Sequence, residues 1–258
     1  MGKIALVTGG ATGIGKKTAY SLALEGYQLA INYRNSEFEA TSLAKQLSDR
    51  FGIKTICVQG DVGKSDDCEQ LVERVLSSFS KVDVLVLNAG PYIRERKKMT
   101  DYTFDEWNYL INGNLNGAFY LSKLVIPVMR EQKWGRIITL GYDRVETAPG
   151  WIYRSAFAAA KTGLASLTRT IALEEAENGI TANMVCPGDI VDEWKEKSIS
   201  IAQSSYENNI SAPVGRPGTG EDIARVISFL IDEKSSFITG SIIPVTGGID
   251  VLTKALKI

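Results

Sequence analysis

The chain of 258 residues is 44% hydrophobic, and its 29 Lys and Arg residues against 30 Asp and Glu residues leave a formal charge of -1. Because no run of five or six like charges occurs, the sequence argues against nucleic acid and against an anionic membrane as partners. Histidine is absent, which excludes histidine-based triads and histidine metal sites, and no metal site is expected.

The amino-terminal residues and the cysteines indicate the compartment. Lys3 leads directly into the apolar segment Ile4–Thr8, which is too short for a signal peptide or a membrane span. Cys57, Cys68 and Cys186 are odd in number and lack metal-ligand spacing, as is typical of reduced thiols. We therefore expect a cytoplasmic protein that does not bind membranes.

Short apolar segments alternate with longer amphipathic ones along the chain. In chain order, the first part predicts a strand at Ile4–Thr8, a helix at about Gly13–Gly26, a strand at Gln28–Tyr33, a helix at about Ser36–Phe51, a strand at Thr55–Gln59, a helix at Ser65–Phe79 and a strand at Val82–Leu87. The second part predicts one long helix or two joined helices at about Phe104–Gln132, a strand at Arg136–Leu140, a helix near Ile152–Asn178 and a strand at Thr181–Val185.

The predicted strands are almost continuously apolar, as in Val84–Leu87, which suits a sheet that is buried on both faces. Strict alternation of strands and helices implies parallel strands joined by right-handed crossovers. We therefore predict an α/β fold: a single doubly wound Rossmann-type parallel sheet with helices on both faces. No linker or repeat divides the sequence, so residues 1–258 are expected to form one domain, with a polar excursion at Asp189–Gly220 that covers a binding site.

A glycine-rich turn follows the first predicted strand directly and leads into the first helix. Glycines at this point let the backbone turn tightly and approach a pyrophosphate, whose charge then lies at the positive helix amino terminus. The residues predicted to contact the cofactor in this turn are Gly9, Thr12, Gly13, Ile14 and Gly15.

The spacing of this turn, Thr-Gly-x-x-x-Gly-Ile-Gly, resembles that of the short-chain dehydrogenase/reductase family, and further motifs follow in the family's order. They are Asp61-Val62, Asn88-Ala89-Gly90, Asn114-Leu115, Pro187-Gly188 and Val245-Thr246-Gly247-Gly248, which with the turn cover most of residues 3 to 250. The resemblance implies that Asp61 and Val62 contact the adenine, that Asn88, Ala89 and Gly90 border the cofactor, and that Pro187 and Gly188 lie beside the nicotinamide. The overall motif order is most similar to that of 3-oxoacyl-[acyl-carrier-protein] reductases.

The end of the second strand indicates which nicotinamide cofactor is bound. An acidic residue at this position would hydrogen-bond the adenosine ribose in an NAD-binding relative, but Tyr33 stands there. Arg34 follows with a guanidinium suited to a 2′-phosphate, and Asn35 and Ser36 are further candidate phosphate donors. NADP(H) is therefore the expected cofactor.

The family's catalytic tyrosine and lysine lie four residues apart on one helix, so that the lysine assists the tyrosine and binds the nicotinamide ribose. Lys161 and the water-ordering Asn114 match this pattern. Phe157 occupies the tyrosine position, however, and Tyr142 falls at the position of the family's serine. A phenyl ring can neither give nor take a proton.

Two nearby tyrosines are the predicted replacements for the missing phenol. Tyr142, which we prefer, places a hydroxyl near the serine position and reaches towards the place that the oxygen of a tyrosine at position 157 would have occupied. Tyr153 precedes Lys161 by eight residues, which at about 100° per residue brings it towards the same helix face if the helix begins early enough.

Three further aromatic residues are candidates for the wall of a substrate pocket: Tyr92, Trp151 and Trp194. Asp192 stands where the family often has a threonine that touches the nicotinamide amide, and a carboxylate cannot donate as a hydroxyl does.

The leading hypothesis is an NADPH-dependent reductase of a carbonyl substrate, which is a small molecule or an acyl thioester. A second is an NADP(H)-binding protein that has lost turnover and acts as a sensor or regulatory partner, with Phe157 as its main support. A third is an enoyl or pterin-like double-bond reductase, which has less need of a phenol beside a carbonyl. The family resemblance further implies a homodimer or homotetramer.

Overall fold

A computed structural model gives the structure of residues 2–204, 212–249 and 252. Seven parallel strands form one sheet in the order β3-β2-β1-β4-β5-β6-β7. The strands are β1 (Ile4–Val7), β2 (Gln28–Tyr33), β3 (Thr55–Gln59), β4 (Val84–Leu87), β5 (Gly135–Leu140), β6 (Ile180–Pro187) and β7 (Ile242–Val245). The predicted α/β fold with a doubly wound parallel sheet is confirmed.

Eight α-helices lie in the described ranges and connect or flank these strands. They are α1 (Gly13–Leu24), α2 (Glu37–Phe51), α3 (Ser65–Phe79), α4 (Phe104–Ile111), α5 (Gly117–Gln132), α6 (Ser155–Glu174), α7 (Ile199–Ser204) and α8 (Gly220–Ile231). None of the helices in these ranges has the length and apolarity needed to cross a membrane.

The helices cover the sheet on both faces, and each face has its own apolar core. Leu22 of α1, Leu43 of α2 and Ile227 of α8 are buried in one cluster. Leu71 of α3 and Leu121 of α5 are buried in the other. Burial on both faces explains why the strands are continuously apolar.

The strand order reverses between β1 and β4, which is where a doubly wound sheet opens a crevice for its ligand. Val7 of β1 pairs with Ile31 of β2 on one side and with Val86 of β4 on the other. The chain therefore diverges to opposite faces of the sheet just beyond these residues.

The structure differs from the predicted elements mainly in the second half. The predicted helix at Phe104–Gln132 is two α-helices joined by a π-helical turn at Asn112–Asn116. The helix expected near Ile152–Asn178 begins only at Ser155, because Tyr153 adopts a left-handed backbone with φ of 65°. The sequence patterns predicted no element at α8 or β7.

The excursion predicted at Asp189–Gly220 contains a 3₁₀ turn at Asp192–Lys195 followed by α7. Residues 205–211 of that excursion lie outside the described residues.

Candidate active site

Side chains at the ends of β1 and β4 hold the glycine-rich turn in place. The Thr8 hydroxyl donates to the Val86 carbonyl (3.2 Å) and accepts from the Ala89 amide (3.0 Å). Asn88 Nδ2 donates to the carbonyl oxygens of Thr8 (2.9 Å) and Gly9 (3.1 Å). Four side-chain hydrogen bonds thus join the end of β1 and its turn to β4 and the loop after it.

Gly15 is required by this packing rather than by backbone flexibility. A Cβ atom at Gly15 would lie 2.3 Å from the Gly9 carbonyl oxygen and 2.6 Å from Asn88 Nδ2. Any side chain there would push the start of α1 away from the turn. The amino terminus of α1 is therefore held against the strand ends, as a pyrophosphate cradle requires.

A cavity of about 560 Å³ opens at the carboxyl ends of the strands. Twelve of the predicted site residues line it: Gly9, Thr12, Ile14, Arg34, Asp61, Val62, Asn88, Ala89, Gly90, Asn114, Lys161 and Pro187. Other predicted cofactor residues do not line it: Gly13, Gly15, Tyr33, Asn35, Ser36 and Gly188. Gly13 and Gly15 flank the lining residue Ile14 in the same turn.

The cavity is also lined by residues that the sequence motifs did not predict. These residues are Asn32, Gly60, Pro91, Leu140, Gly141 and Lys195. Phe157, at the family's tyrosine position, and Tyr92, a predicted pocket wall, also line the cavity. Asn32 is buried, and its side chain accepts from the Gly9 amide (3.3 Å) and donates to the Gly60 carbonyl (3.0 Å). An amide side chain near the carboxyl end of β2, after the apolar residues Leu29, Ala30 and Ile31, was the available signal for it.

Arg34 marks one end of the cavity. Its Nη1 donates to the Tyr109 hydroxyl of α4 (3.0 Å) and lies 3.7 Å from Asp61 Oδ2. Tyr33, the residue before it, turns into the core instead, and burial raises the pKa of its phenol. The guanidinium is thus presented to the cavity by one aromatic and one acidic neighbour.

Lys161 marks the other end. Its ammonium donates to the Leu140 carbonyl (2.8 Å) and lies 5.7 Å from the centre of the Phe157 ring. The side chain is buried, and burial lowers the pKa of Lys161 from 10.5 to about 8. The phenyl ring occupies the position where the family resemblance places a phenol, so Lys161 has an apolar neighbour there.

Asn114 lies in the π-helical turn, which carries its side chain inward. Its Nδ2 donates to the carbonyls of Pro91 (2.8 Å) and Leu110 (3.0 Å). Its Oδ1 is buried and has no hydrogen-bond partner among the described residues. Asn114 and Lys161 together line a small void of about 10 Å³, which is close to the minimum that holds one water molecule.

The structure does not bring the two predicted proton donors into the cavity. The Tyr142 hydroxyl donates to the Pro149 carbonyl (3.4 Å) and lies 3.4 Å from Thr162 Oγ1, and burial raises the pKa of this phenol. Tyr153 precedes α6, so the helical periodicity that related it to Lys161 does not apply. Neither tyrosine lines the cavity.

The three aromatic residues predicted to form the wall of a substrate pocket lie in different parts of the structure. Tyr92 lines the cavity. Trp151 packs on Tyr142 with ring centroids 5.0 Å apart, and Trp194 packs against the core beneath α1 and α8. Asp192 lies 3.4 Å from the Arg94 guanidinium.

The segment after the 3₁₀ turn rests on the start of α1. Glu196 Oε1 accepts from the Gly13 amide (2.8 Å), and its Oε2 accepts from Lys16 Nζ (2.7 Å). Burial raises the pKa of Glu196, but the hydrogen bonds from Lys16 and Gly13 outweigh it and lower the pKa below its ordinary value. The excursion is thus fastened to the glycine-rich turn, and Lys195 reaches the cavity wall.

Comparison with known proteins agrees with this architecture. A family model described as "Enoyl-(Acyl carrier protein) reductase" matches residues 9–250. The relative named "Putative oxidoreductase YtkK", of Bacillus subtilis (strain 168), is 52% identical over 250 residues, which is 97% of each chain. The 3-oxoacyl-[acyl-carrier-protein] reductase FabG of Staphylococcus epidermidis is 36% identical over 248 residues, covering 96% of this chain and 99% of the relative.

Among solved structures, one titled "Structure of putative 3-oxoacyl-reductase from bacillus thuringiensis" superposes with a TM-score of 0.90 at 49% identity. The match covers 98% of this chain and all of that one (100%). With the parallel sheet, the glycine-rich turn and the positions of Asn114 and Lys161, these matches establish that the chain belongs to the short-chain dehydrogenase/reductase family of oxidoreductases.

Proposed function

We propose that this protein is an NADPH-dependent reductase of a carbonyl substrate of the 3-oxoacyl-thioester type. The observation that carries the proposal is a single cavity with Arg34 at one end, Lys161 at the other, and the glycine-rich turn between them. The relatives named as 3-oxoacyl reductases support the same substrate class.

The residues present fit a dinucleotide phosphate. The clash that a Cβ at Gly15 would make with the Gly9 carbonyl supports this, because it keeps the start of α1 close to the turn, where a pyrophosphate would lie. Arg34 would bind the 2′-phosphate, with the exposed Asn35 and the half-buried Ser36 beside it. Asp61 and Val62 would border the adenine, and Asn88, Ala89 and Gly90 the central part of the cofactor.

NADPH would supply the hydride for the substrate carbon. Lys161 would bind the nicotinamide ribose, for which its ammonium is already oriented by the Leu140 carbonyl. The unpartnered Asn114 Oδ1 and the small void it shares with Lys161 suit one water that links the two side chains. Asn114, this water and Lys161 would thereby form a path for a proton from solvent towards the site.

A double-bond reductase is the second candidate function. Two observations favour it: the family model that matches is described as an enoyl reductase, and Phe157 leaves no phenol at the position beside a substrate carbonyl. Enoyl or pterin-like substrates would still use the hydride and the Lys161 end of the cavity.

We further propose that the protein works in the cytoplasm as a homodimer or homotetramer. Its three cysteines, Cys57, Cys68 and Cys186, are free thiols, as a reducing compartment favours. Large apolar side chains are exposed on α4, α5 and α6: Phe104, Phe119 and Leu173.

Cofactor binding and turnover test the proposal in one experiment. We expect NADPH to bind more tightly than NADH, and Arg34→Gln to reduce this preference by about tenfold or more, because a hydrogen-bonded charge is lost from the 2′-phosphate. Titration of the intrinsic fluorescence measures both constants. Arg225→Gln, an exposed arginine on α8, is the matched control and should bind like wild type.

NADPH oxidation is then assayed with 3-oxoacyl thioesters, enoyl thioesters and pterins. Turnover of the 3-oxoacyl thioesters supports the carbonyl reductase, whereas turnover of the enoyl thioesters or pterins alone assigns the second function. Tight NADPH binding without turnover on any of them would contradict both and would indicate an NADP(H)-binding sensor or regulatory partner.

A further inference from the structure

Tyr92 is the one tyrosine that lines the cavity in the part of the chain that the structure describes. It follows β4 by five residues and lies beside Pro91 in the cavity wall. Its ring meets the Phe157 ring edge to face, with centroids 5.1 Å apart and planes at 89°. Since Lys161 Nζ lies 5.7 Å from the Phe157 ring centre, the wall runs from Tyr92 through Phe157 to Lys161.

The Tyr92 hydroxyl is held by a guanidinium. Arg154 Nε donates to Tyr92 Oη (2.5 Å), and the guanidinium carbon lies 5.0 Å from the Tyr92 ring centre. Arg154 is fixed in turn, because its Nη atoms donate to the carbonyls of Glu95 (2.7 Å) and Arg94 (2.9 Å). A positive charge is therefore kept at the phenol oxygen.

The proton of this hydroxyl is available for transfer. Within the described residues Tyr92 Oη accepts from Arg154 and donates to no protein acceptor. The residue is 45% exposed, so water can reach the phenol and return a proton after each turnover. Tyr142, by contrast, is buried with its hydroxyl turned towards Pro149.

We propose that Tyr92 is the catalytic proton donor and that Arg154 is the positioning residue that stabilises the phenolate left behind; this inference rests on the proposed carbonyl reductase. The carbonyl carbon would take a hydride from NADPH, which would be oxidised to NADP⁺. The carbon–oxygen π pair takes the proton from Tyr92 Oη, which yields an alcohol and leaves a phenolate beside Arg154. A proton from solvent, the one that the overall reduction consumes, then returns to the phenolate through water.

In this assignment the phenol that donates the proton lies in the loop after β4, at Tyr92, and not on α6 at the position of Phe157. The Tyr92 ring contacts the Phe157 ring. A positioned general acid contributes about 10²- to 10⁴-fold to a rate, and a guanidinium at the phenol oxygen favours the charged product of proton transfer. Arg154 takes here the part that a neighbouring lysine plays for a tyrosine on the same helix.

Tyr92→Phe is the test, because it keeps the ring contact with Phe157 and removes only the hydroxyl. We expect kcat on a 3-oxoacyl thioester to fall at least about 100-fold, with the Kd for NADPH and the melting temperature unchanged. Calorimetry gives a readout that does not need turnover: a 3-oxoacyl pantetheine should bind the complex with NADP⁺ about five- to tenfold more weakly.

Tyr20→Phe is the matched control. The Tyr20 ring also meets a phenylalanine edge to face, Phe51 at 5.3 Å, and has a guanidinium nearby, that of Arg50 at 5.4 Å, but it does not line the cavity. Its kcat should equal that of wild type. An equal fall in both variants would overturn the inference.

A double variant places the phenol at position 157 instead of position 92. Phe157→Tyr in the Tyr92→Phe background places a hydroxyl on the ring that Tyr92 touches, four residues before Lys161, and should restore most of kcat. Arg154→Lys should likewise retain more of kcat than Arg154→Gln, since it keeps the charge.

The failures of the two proposals differ. An active wild-type enzyme whose Tyr92→Phe variant keeps its kcat and its pantetheine affinity overturns the assignment of Tyr92 and leaves the carbonyl reductase intact. A wild-type enzyme that oxidises NADPH with no carbonyl substrate overturns the proposed function and the assignment of Tyr92 with it.

Discussion

Burial of Lys161 links the candidate site to the stability of the protein. Its pKa falls from 10.5 to about 8 in the folded chain, because burial penalises the charged ammonium. Between these values the unfolded chain keeps a proton that the folded chain has released, so the free energy of unfolding rises with pH across that window. Below pH 8 the whole penalty is present, on the order of 3 kcal/mol.

Lys161→Met should abolish this pH dependence. We expect the free energy of unfolding of wild type, relative to Lys161→Met, to increase by about 2 kcal/mol between pH 7.5 and pH 10 in urea titrations. Lys123→Met, an exposed lysine on α5, is the control and should follow wild type. Parallel curves for wild type and Lys161→Met would show that Lys161 is charged at no cost in the folded protein.

At the residue scale, the sequence predicted which side chains line the cavity where their positions depend on the ends of strands or on helical segments. Arg34 and Asn88 follow strands directly, and Asp61 lies two residues after the end of β3. Asn114 and Lys161 lie on helical segments, so the positions of all five follow from the fold. The tyrosines depend on loop conformation and core packing, which single residues do not encode.

At the element scale, the glycine-rich turn depends on contacts that one methyl group would break. Gly15→Ala should destabilise the protein by about 3 kcal/mol, because its Cβ would lie 2.3 Å from a backbone oxygen that the Asn88 hydrogen bonds hold in place. Urea denaturation measures the loss. Gly150→Ala, whose Cβ would meet nothing within 4 Å, should be neutral; equal stabilities of the two variants would contradict the packing described for Gly15.

The predicted element boundaries agree with the structure better in the first half of the chain than in the second. The sequence boundaries of β2, β3 and α3 match the structure. α8 went unassigned although Thr219 and Asp222 form a capping box at its start, and β7 is short and contains Pro244. Pairing with β6 defines β7, and such a partner is a property of the whole sheet.

At the scale of the whole molecule, the proposed homodimer or homotetramer would form through apolar residues that are exposed on neighbouring helices. Phe119 on α5 is 49% exposed, and a two-fold contact through the long helices would bury it. Light scattering should give a mass of two or four times 28.1 kDa. Phe119→Glu should shift that mass towards the monomer, because it would bury a charge at the contact.

Phe38→Glu is the control for this substitution, since Phe38 is 80% exposed on α2, away from the long helices. It should keep the wild-type mass. A monomeric wild type, or dissociation by Phe38→Glu as well, would exclude the proposed contact.

The π-helical turn at Asn112–Asn116 changes the rotational register between α4 and α5. One additional residue in a helical turn rotates everything after it by about 100° relative to an uninterrupted α-helix. This offset lets α4 face α6 while α5 faces α3 and β5, and Asn114 lies at the pivot. The one extra residue in this turn thus determines which elements α4 and α5 pack against. It also directs the Asn114 amide inward, where it shares a void with Lys161.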